Sequence, residues 1–296
     1  MHKPALHFLL LALGFLLGAC EKEVAGIKLP ESDAKLAVHC FISPDDPFVT
    51  ASVSRSVPTF ASGNPADTLV KDAVVTLSDG VRSLLIPYDK DYKAYVCFIW
   101  AAQSDLRIKP GSSYYLQVTT PKGETATATC TVPAALNTSI ALSRDSAWDA
   151  FTNRYYYWMR IVWPDLPNQV NYYRVAGHAE GITRQSVDGS PTAGAKVPVE
   201  WEAADLVSDE GRDGGLLVSP RGNCYVNRYD PFISGTLYAS VLHTDAHYYR
   251  YHRSVRRAGQ SQANPFAEPV LVYSNVTGGL GVFGAYTRTT TYVAIR

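Results

Sequence analysis

Ile108-Lys109-Pro110-Gly111-Ser112-Ser113-Tyr114-Tyr115-Leu116-Gln117-Val118-Thr119 is the stretch from which the fold is read outward. Pro110-Gly111 marks a turn, because proline presets the backbone angle of one and glycine tolerates a left-handed conformation. After it Tyr114, Leu116 and Val118 alternate with Tyr115, Gln117 and Thr119, the two-residue period of a strand with one face in a core. Pro121-Lys122-Gly123 then turns the chain back into residues 124–132, where Ala126, Ala128, Cys130 and Val132 keep that period. The two segments predict a β-hairpin that stops at Pro133.

Upstream, strand candidates recur at 36–42, 48–55, 69–78 and 94–100, separated by turn signals such as Ser78-Asp79-Gly80. Tyr114 follows a Pro-Gly turn and opens its strand. In this it resembles the tyrosine corner of immunoglobulin-like and fibronectin-like sandwiches, whose hydroxyl bonds back to preceding backbone. Residues 35–135 are therefore expected to form an Ig-like β-sandwich.

Residues 136–296 are less regular. The stretch 155–163 is apolar or aromatic on both faces except at Arg160, as in a central strand covered on each side. Further strands are expected at 171–179, 196–201, 235–243, 268–274 and 291–296. One helix stands out near 245–258: Asp245 can cap it, residues 246–257 contain no glycine or proline, and Gly259 follows. The fold class read here is mainly β, with an N-terminal Ig-like or fibronectin-like sandwich followed by a second antiparallel β domain carrying one helix.

The chain opens with the weakly basic Met1-His2-Lys3, followed by an almost unbroken apolar run over residues 5–17. Its length suits a signal-peptide core and falls short of the roughly 20 residues that span a bilayer. Leu17-Gly18-Ala19-Cys20 resembles a bacterial lipobox: small residues admit a peptidase, and the thiol can accept a diacylglyceryl group. Residues 1–19 are read as a lipoprotein signal peptide, Cys20 as the lipidation site that holds the chain to the lipid bilayer, and residues 20–34 as a polar tether. Several acyl chains anchor stably where one holds only marginally. Glu21-Lys22-Glu23 after the cysteine resembles the export signal of Bacteroidota surface lipoproteins, which implies an outer-membrane, surface-exposed location.

With 27 basic and 27 acidic residues the net charge is zero, so nothing marks a nucleic acid or an acidic membrane surface as partner. Nineteen tyrosines, eighteen prolines and twenty-one glycines in a chain only 18% charged favour strands and turns over helices. Beyond Cys20 lie Cys40, Cys97, Cys130 and Cys224, which in an exported chain can pair in three ways, with at least one pair expected among the first three. None stands in a Cys-x-x-Cys spacing, which removes the usual zinc and thioredoxin-like readings.

No Gly-x-Ser-x-Gly or His-Glu-x-x-His motif occurs, so hydrolase templates fail and no enzymatic activity is expected. In His243-x3-His247-x4-His252, the cap at Asp245 leaves His243 outside the helix and puts the other two on different faces, so no metal site is expected. Asp209-Glu210-Gly211-Arg212-Asp213-Gly214 could offer oxygen ligands to Ca²⁺ but lacks EF-hand spacing; it reads as a solvated turn. Arg250, Arg253 and Arg257 form a basic stripe beside Tyr248 and Tyr251, and Arg250 and Arg253 are candidate partner or ligand contacts. Gly279-Leu280-Gly281-Val282-Phe283-Gly284 matches the dinucleotide fingerprint, yet twelve residues remain after it, too few for the helix and strand that motif needs. No NAD, FAD or other cofactor is expected. Instead Gly279 and Gly281 should let the backbone approach a neighbour, either displaying Asn275 and Phe283 as one polar and one aromatic contact or fitting a final hairpin against the second domain. Asp67-Thr68-Leu69 and Asp145-Ser146-Ala147 resemble a short O-glycosylation motif of Bacteroidota periplasmic and surface proteins.

A family resemblance runs through these segments. The lipobox, Leu36-Ala37-Val38-His39-Cys40-Phe41-Ile42-Ser43, Val70-Lys71-Asp72-Ala73-Val74-Val75, Asn264-Pro265-Phe266-Ala267-Glu268-Pro269 and the run from Tyr273 to Gly284 are similar to the Bacteroidota lipoprotein family catalogued as domain of unknown function 4249. The resemblance covers essentially the whole chain after Cys20. It implies an accessory lipoprotein of a nutrient-import complex, because such proteins tend to be encoded beside TonB-dependent outer-membrane receptors, and it brings no catalytic residues. The expected function is that of an accessory binding or docking component of a TonB-dependent import system; the alternative is a structural or adhesive cell-surface lipoprotein without a transport partner.

Overall fold

The computed structural model describes residues 34–57, 68–99, 105–151, 154–183, 192–193, 196–227, 234–262, 268 and 270–295. Residues 1–19, read above as a signal peptide, Cys20, the expected tether as far as residue 33, and Asp67 lie outside the described residues. In the first half run β1 (Leu36–Ile42), β2 (Phe48–Arg55), β3 (Val74–Ser78), β4 (Ser83–Ile86), β5 (Tyr88–Asp89), β6 (Ala94–Phe98), β7 (Ser113–Thr119) and β8 (Thr125–Thr131). They form two antiparallel layers, β1-β2-β6-β5 and β4-β3-β7-β8, the strand order of an Ig-like sandwich. The alternation read from the sequence is what fills it. Val38, Cys40 and Ile42 of β1, Leu77 of β3, Leu116 and Val118 of β7, and Cys130 of β8 share one core, each large aliphatic contributing roughly 1.5–3 kcal/mol by burial. Tyr114 makes the corner: its hydroxyl donates to the Arg107 carbonyl at 2.8 Å and accepts from the Lys109 N–H at 2.7 Å. Tyr95 does the same for the preceding loop, donating to the Val70 carbonyl at 3.0 Å and accepting from the Ala73 N–H at 2.9 Å.

The second half contains β9 (Ala141–Asp149), β10 (Arg154–Pro164), β11 (Tyr172–Thr183), β12 (Thr192–Ala193), β13 (Val197–Pro198), β14 (Glu200–Trp201), β15 (Leu206–Ser208), β16 (Leu216–Val218), β17 (Gly222–Asn227) and β18 (Ser234–Thr244), then helix α1 (Ala246–Gln262) and β19 (Leu280–Ile295). One sheet centres on β10, with β9 along one side and β16 and β17 along the other. A second core forms where Tyr157, Met159, Ile161 and Trp163 of β10 meet residues of β11 and β18 such as Tyr173, Val175, Leu237 and Val241.

Strand β19 joins the halves. Its first part pairs in parallel with β1, from Ala37↔Leu280 to Ile42↔Ala285, and its last part pairs antiparallel with β18, from Thr244↔Tyr286 to Gly235↔Ile295. The sheet β11-β18-β19-β1-β2 therefore runs unbroken through both halves. Residues 281–287 are buried without alternation, since the sandwich core covers one face and α1 the other. Two glycines make this packing feasible. Gly281 has φ +112°, and a Cβ there would lie 2.0 Å from the Val38 carbonyl oxygen; at Gly284 it would lie 3.0 Å from the backbone nitrogen of Tyr248.

Several expectations are corrected. Residues 270–274, read as part of a strand, have no regular structure, because α1 captures them: the Tyr273 N–H donates to Ser254 Oγ at 2.8 Å and its hydroxyl meets His247 Nδ1 at 2.7 Å. The glycine run starts a strand instead of turning a hairpin. The helix continues through Gly259 to Gln262, a glycine inside a helix costing only about 1 kcal/mol. Strands β4 and β9 were not foreseen. All four described cysteines are free thiols. Cys40 and Cys97 stand on β1 and β6 with β2 between them, about 9–10 Å of sheet, whereas a disulfide requires Cα atoms within about 7 Å. Burial pushes the Cys40 thiol up to about 12 and Cys130 further still. Among the described residues, no helix is long and apolar enough to cross a membrane.

Removing the corner hydroxyl with Tyr114→Phe takes the partner from the part-buried Lys109 N–H and Arg107 carbonyl, so chemical denaturation should show a loss of about 1 kcal/mol; unchanged stability would refute the corner's role. Gly281→Val has no room for its side chain and is expected to lower stability by at least about 2 kcal/mol, seen as a clear drop in melting temperature.

Candidate functional site

The β10–β11 connection holds Asp165, Asn168, Gln169 and Asn171, and the segment after β15 brings Asp209, Glu210 and Asp213 against it. Carboxylates knit the two loops together. Asp165 accepts from the Tyr173 hydroxyl at 2.7 Å and the Gly214 N–H at 2.9 Å. Asp209 accepts from the Asn171 N–H at 2.8 Å, and Asp213 from the Asn168 N–H at 2.9 Å. Asn171 also reaches His243, whose Nδ1–H donates to the Ala134 carbonyl at 2.8 Å while Nε2 lies 3.1 Å from Asn171 Oδ1. Burial holds the His243 imidazole below its ordinary pKa. Asp165, Asp209 and Asp213 can place one oxygen each within 4.8 Å of one another. That donor chemistry suits a hard divalent cation, but each carboxylate already accepts protein hydrogen bonds, and loop stitching accounts for the cluster.

Helix α1 stands over these loops. The Asp245 carboxylate caps it, Oδ1 accepting the Tyr248 N–H at 2.7 Å, and its own N–H donates to the Ala285 carbonyl of β19 at 2.9 Å. Arg174 of β11 bonds Asp205 Oδ2 at 2.7 Å and the Tyr248 hydroxyl at 2.9 Å, while Arg256 of the helix reaches the other oxygen of Asp205. Tyr172 stacks on Tyr249 with centroids 4.6 Å apart, and the Arg253 guanidinium lies 6.0 Å from the Tyr249 ring. Between helix and loops opens a cleft of about 680 Å³, lined by Gln169, Tyr172, Asp209, Glu210, Tyr249 and Arg253, among others. It combines aromatic surface, both signs of charge and side-chain amides, the mixture of a pocket that orients a polar ligand.

The structure separates the candidates read from the sequence. Arg253 lines the cleft, whereas Arg250 is exposed outside that lining and Arg257 faces solvent. The Asp209–Gly214 turn forms one wall and is tied down rather than freely solvated. Gly279, Gly281, Asn275 and Phe283 are not displayed together. Phe283 is fully buried, and the Asn275 amide is occupied internally, donating to the Phe283 carbonyl at 2.8 Å and accepting its N–H at 3.0 Å. His243, His247 and His252 have separate surroundings, the last stacked on Phe41. Asp165, Tyr172 and Tyr249 were missed. They come together only through tertiary structure, and the sole local signal was an acidic residue between two prolines.

An Ig-like sandwich and a second β sandwich sharing one sheet, with a helix-covered cleft, define a mainly β protein of two cores. The chain belongs to the family described as Domain of unknown function (DUF4249), whose family model matches residues 22–292. No curated protein matches it. Among solved structures, the Enterococcus faecalis MSCRAMM ACE, described as binding its ligands by the collagen hug model, aligns over 88% of this chain and 94% of its own at 8% identity. The TM-score is 0.15, too low to carry an argument.

Burial pushes the Asp245 carboxyl up to about 7, and its Oδ2 has no hydrogen-bond partner among the described residues. A folded-state value above the unfolded one means that stability is fully present below the ordinary carboxylate pKa and is lost as pH rises to about 7. Asp245→Asn keeps a capping oxygen and cannot ionise. The stability difference between variant and parent should therefore grow in the variant's favour from pH 4 to pH 7, by on the order of 2–4 kcal/mol, and then level off. Parallel pH profiles in urea denaturation would contradict this account.

Proposed function

We propose that this chain is a lipoprotein of the outer membrane, acylated at Cys20 and exposed at the cell surface, that serves as an accessory binding component beside a TonB-dependent receptor. It retains or presents a ligand for import. The carrying observation is the cleft between α1 and the acidic loops, which sits on a sheet running through both halves and so is held in a fixed shape. Binding fits its lining better than catalysis, because Asp209 is held by loop donors and, among the described residues, no histidine or cysteine lines the cleft. The lipobox and the polar tether support the address, and membership of the family supports the partner through the setting that its resemblance implies.

Gentle detergent extraction followed by capture on a C-terminal tag tests the reading. A large β-barrel receptor, identified by mass spectrometry, is expected to accompany the chain. Recovery of the chain alone, with or without mild cross-linking, would favour the structural or adhesive alternative. Cys20→Ala should abolish labelling by a radioactive fatty acid and release the protein from membranes; undiminished labelling would remove the anchor from the proposal.

A further inference from the structure

The charges that the fold leaves unspent around the α1 cleft restrict what it can hold. Asp209 is buried and gives its carboxylate to the Asn171 N–H, while Arg174 of β11 and Arg256 of the helix are both held by Asp205. On the helix wall this leaves Arg253, exposed, with its guanidinium 6.0 Å from the Tyr249 ring. On the loop wall stand Glu210 and Asp213, both exposed; Asp213 spends one oxygen on the Asn168 N–H and keeps the other. Arg253, Glu210 and Asp213 form no ion pair among the described residues. Opposite charges therefore border one cavity of about 680 Å³ without closing on each other. The same lining offers amides and apolar surface. Gln169 donates its Nε2 to Asn171 Oδ1 at 3.0 Å, which leaves its own side-chain oxygen to accept, and the Asn168 side chain is exposed beside it. Val170 is 70% exposed, next to the stacked rings of Tyr172 and Tyr249.

Resting on the reading of this cleft as the ligand site, we infer that it binds short peptides with free ends. The peptide carboxylate pairs with Arg253, the ammonium with Glu210 and Asp213, and the peptide groups with the amides of Asn168 and Gln169. A guanidinium fork grips a carboxylate bidentately, and an ammonium brings three donors that carboxylate oxygens can accept. Other ligand classes fit less of the lining. A polyanion would meet one arginine against two exposed carboxylates, a polyamine would leave Arg253 without a partner, and a neutral sugar would desolvate charges of both signs with no counter-charge. The volume lies within the range of sites that hold small ligands. Because two exposed carboxylates face one guanidinium, a free N-terminus contributes more to binding than a free C-terminus.

A mixed tripeptide library, offered to the full chain immobilised by a C-terminal tag, tests this. Four samples are compared by mass spectrometry of the retained peptides: free ends, acetylated, amidated, and blocked at both ends. Free peptides should be retained about tenfold or more over doubly blocked ones, a difference of about 1.4 kcal/mol, and acetylation should cost more than amidation. Arg253→Gln should erase the effect of amidation and spare that of acetylation. Glu210→Gln should weaken retention of peptides with a free N-terminus by about fivefold or more, the scale of a lost charge-assisted hydrogen bond. Both side chains are exposed, so these variants keep the parent's melting temperature, and Arg250→Gln, outside the lining, should bind like the parent. Equal retention of all four samples, or an Arg253→Gln variant that still separates amidated from free peptides, would overturn the assignment. Recovery of a receptor without peptide retention removes the ligand class alone; peptide retention by a chain that brings down no receptor upholds the peptide site and removes the import role.

Discussion

The parallel pairing of β19 with β1 is the constraint on which the rest of the structure depends. Six consecutive residue pairs, from Ala37↔Leu280 to Ile42↔Ala285, attach the end of the chain to its first strand, and the same strand then continues into the second half beside β18. Phe283 and Ala285 enter the first core, and Ile295 closes the second. Neither core is complete without this one strand. A side-chain amide reinforces the attachment: Asn275 hydrogen-bonds both backbone groups of Phe283, as a neighbouring strand would, while Thr277 exchanges backbone bonds with Thr127 of β8 at 2.8 and 2.9 Å.

Helix placement follows from that joint. Phe41 of β1, Leu242 of β18 and Tyr286 of β19 make an apolar patch on the outer side of the shared sheet, and Tyr248 packs into it. Glycine at 284 lets the helix backbone come close. Asp205, gripped by Arg174 from the sheet and Arg256 from the helix, fixes the remaining angle. The cleft is thus a by-product of where three strands meet, which is why its lining residues are scattered along the sequence.

Much of the first half was legible because its strands have one wet and one dry face. The bounds of β1, β2 and β7 match the apolar alternation end to end, and Pro110-Gly111 located the tyrosine corner. Strand β9 escaped because it is exposed almost throughout and carries no alternation. Strand β19 was recognised only at its tail, since its first part is buried on both faces and reads as a glycine motif. The segment 270–272 misled in the opposite direction: Val270, Leu271 and Val272 look like a strand, yet all three side chains are exposed. In the acidic cluster, Asp165 and Asp209 are partners across forty-odd residues, and no local pattern records that. The helix was found from its cap and its lack of breakers, though Gly259 is a weaker stop than the cap is a start.

The shared strand also sets an order of events in time. A chain made from its N-terminus presents β1 long before residues 280–285 arrive to cover its edge. Contacts so distant in sequence are slow to form, and an uncovered strand edge is a template for pairing with other chains. The first sandwich must therefore wait, partly assembled, for residues 280–285. Loss of the C-terminal end would leave two incomplete cores and an open edge instead of one folded half and one damaged one. For a protein of this design, protection of the nascent β1 edge matters as much as the stability of the finished fold.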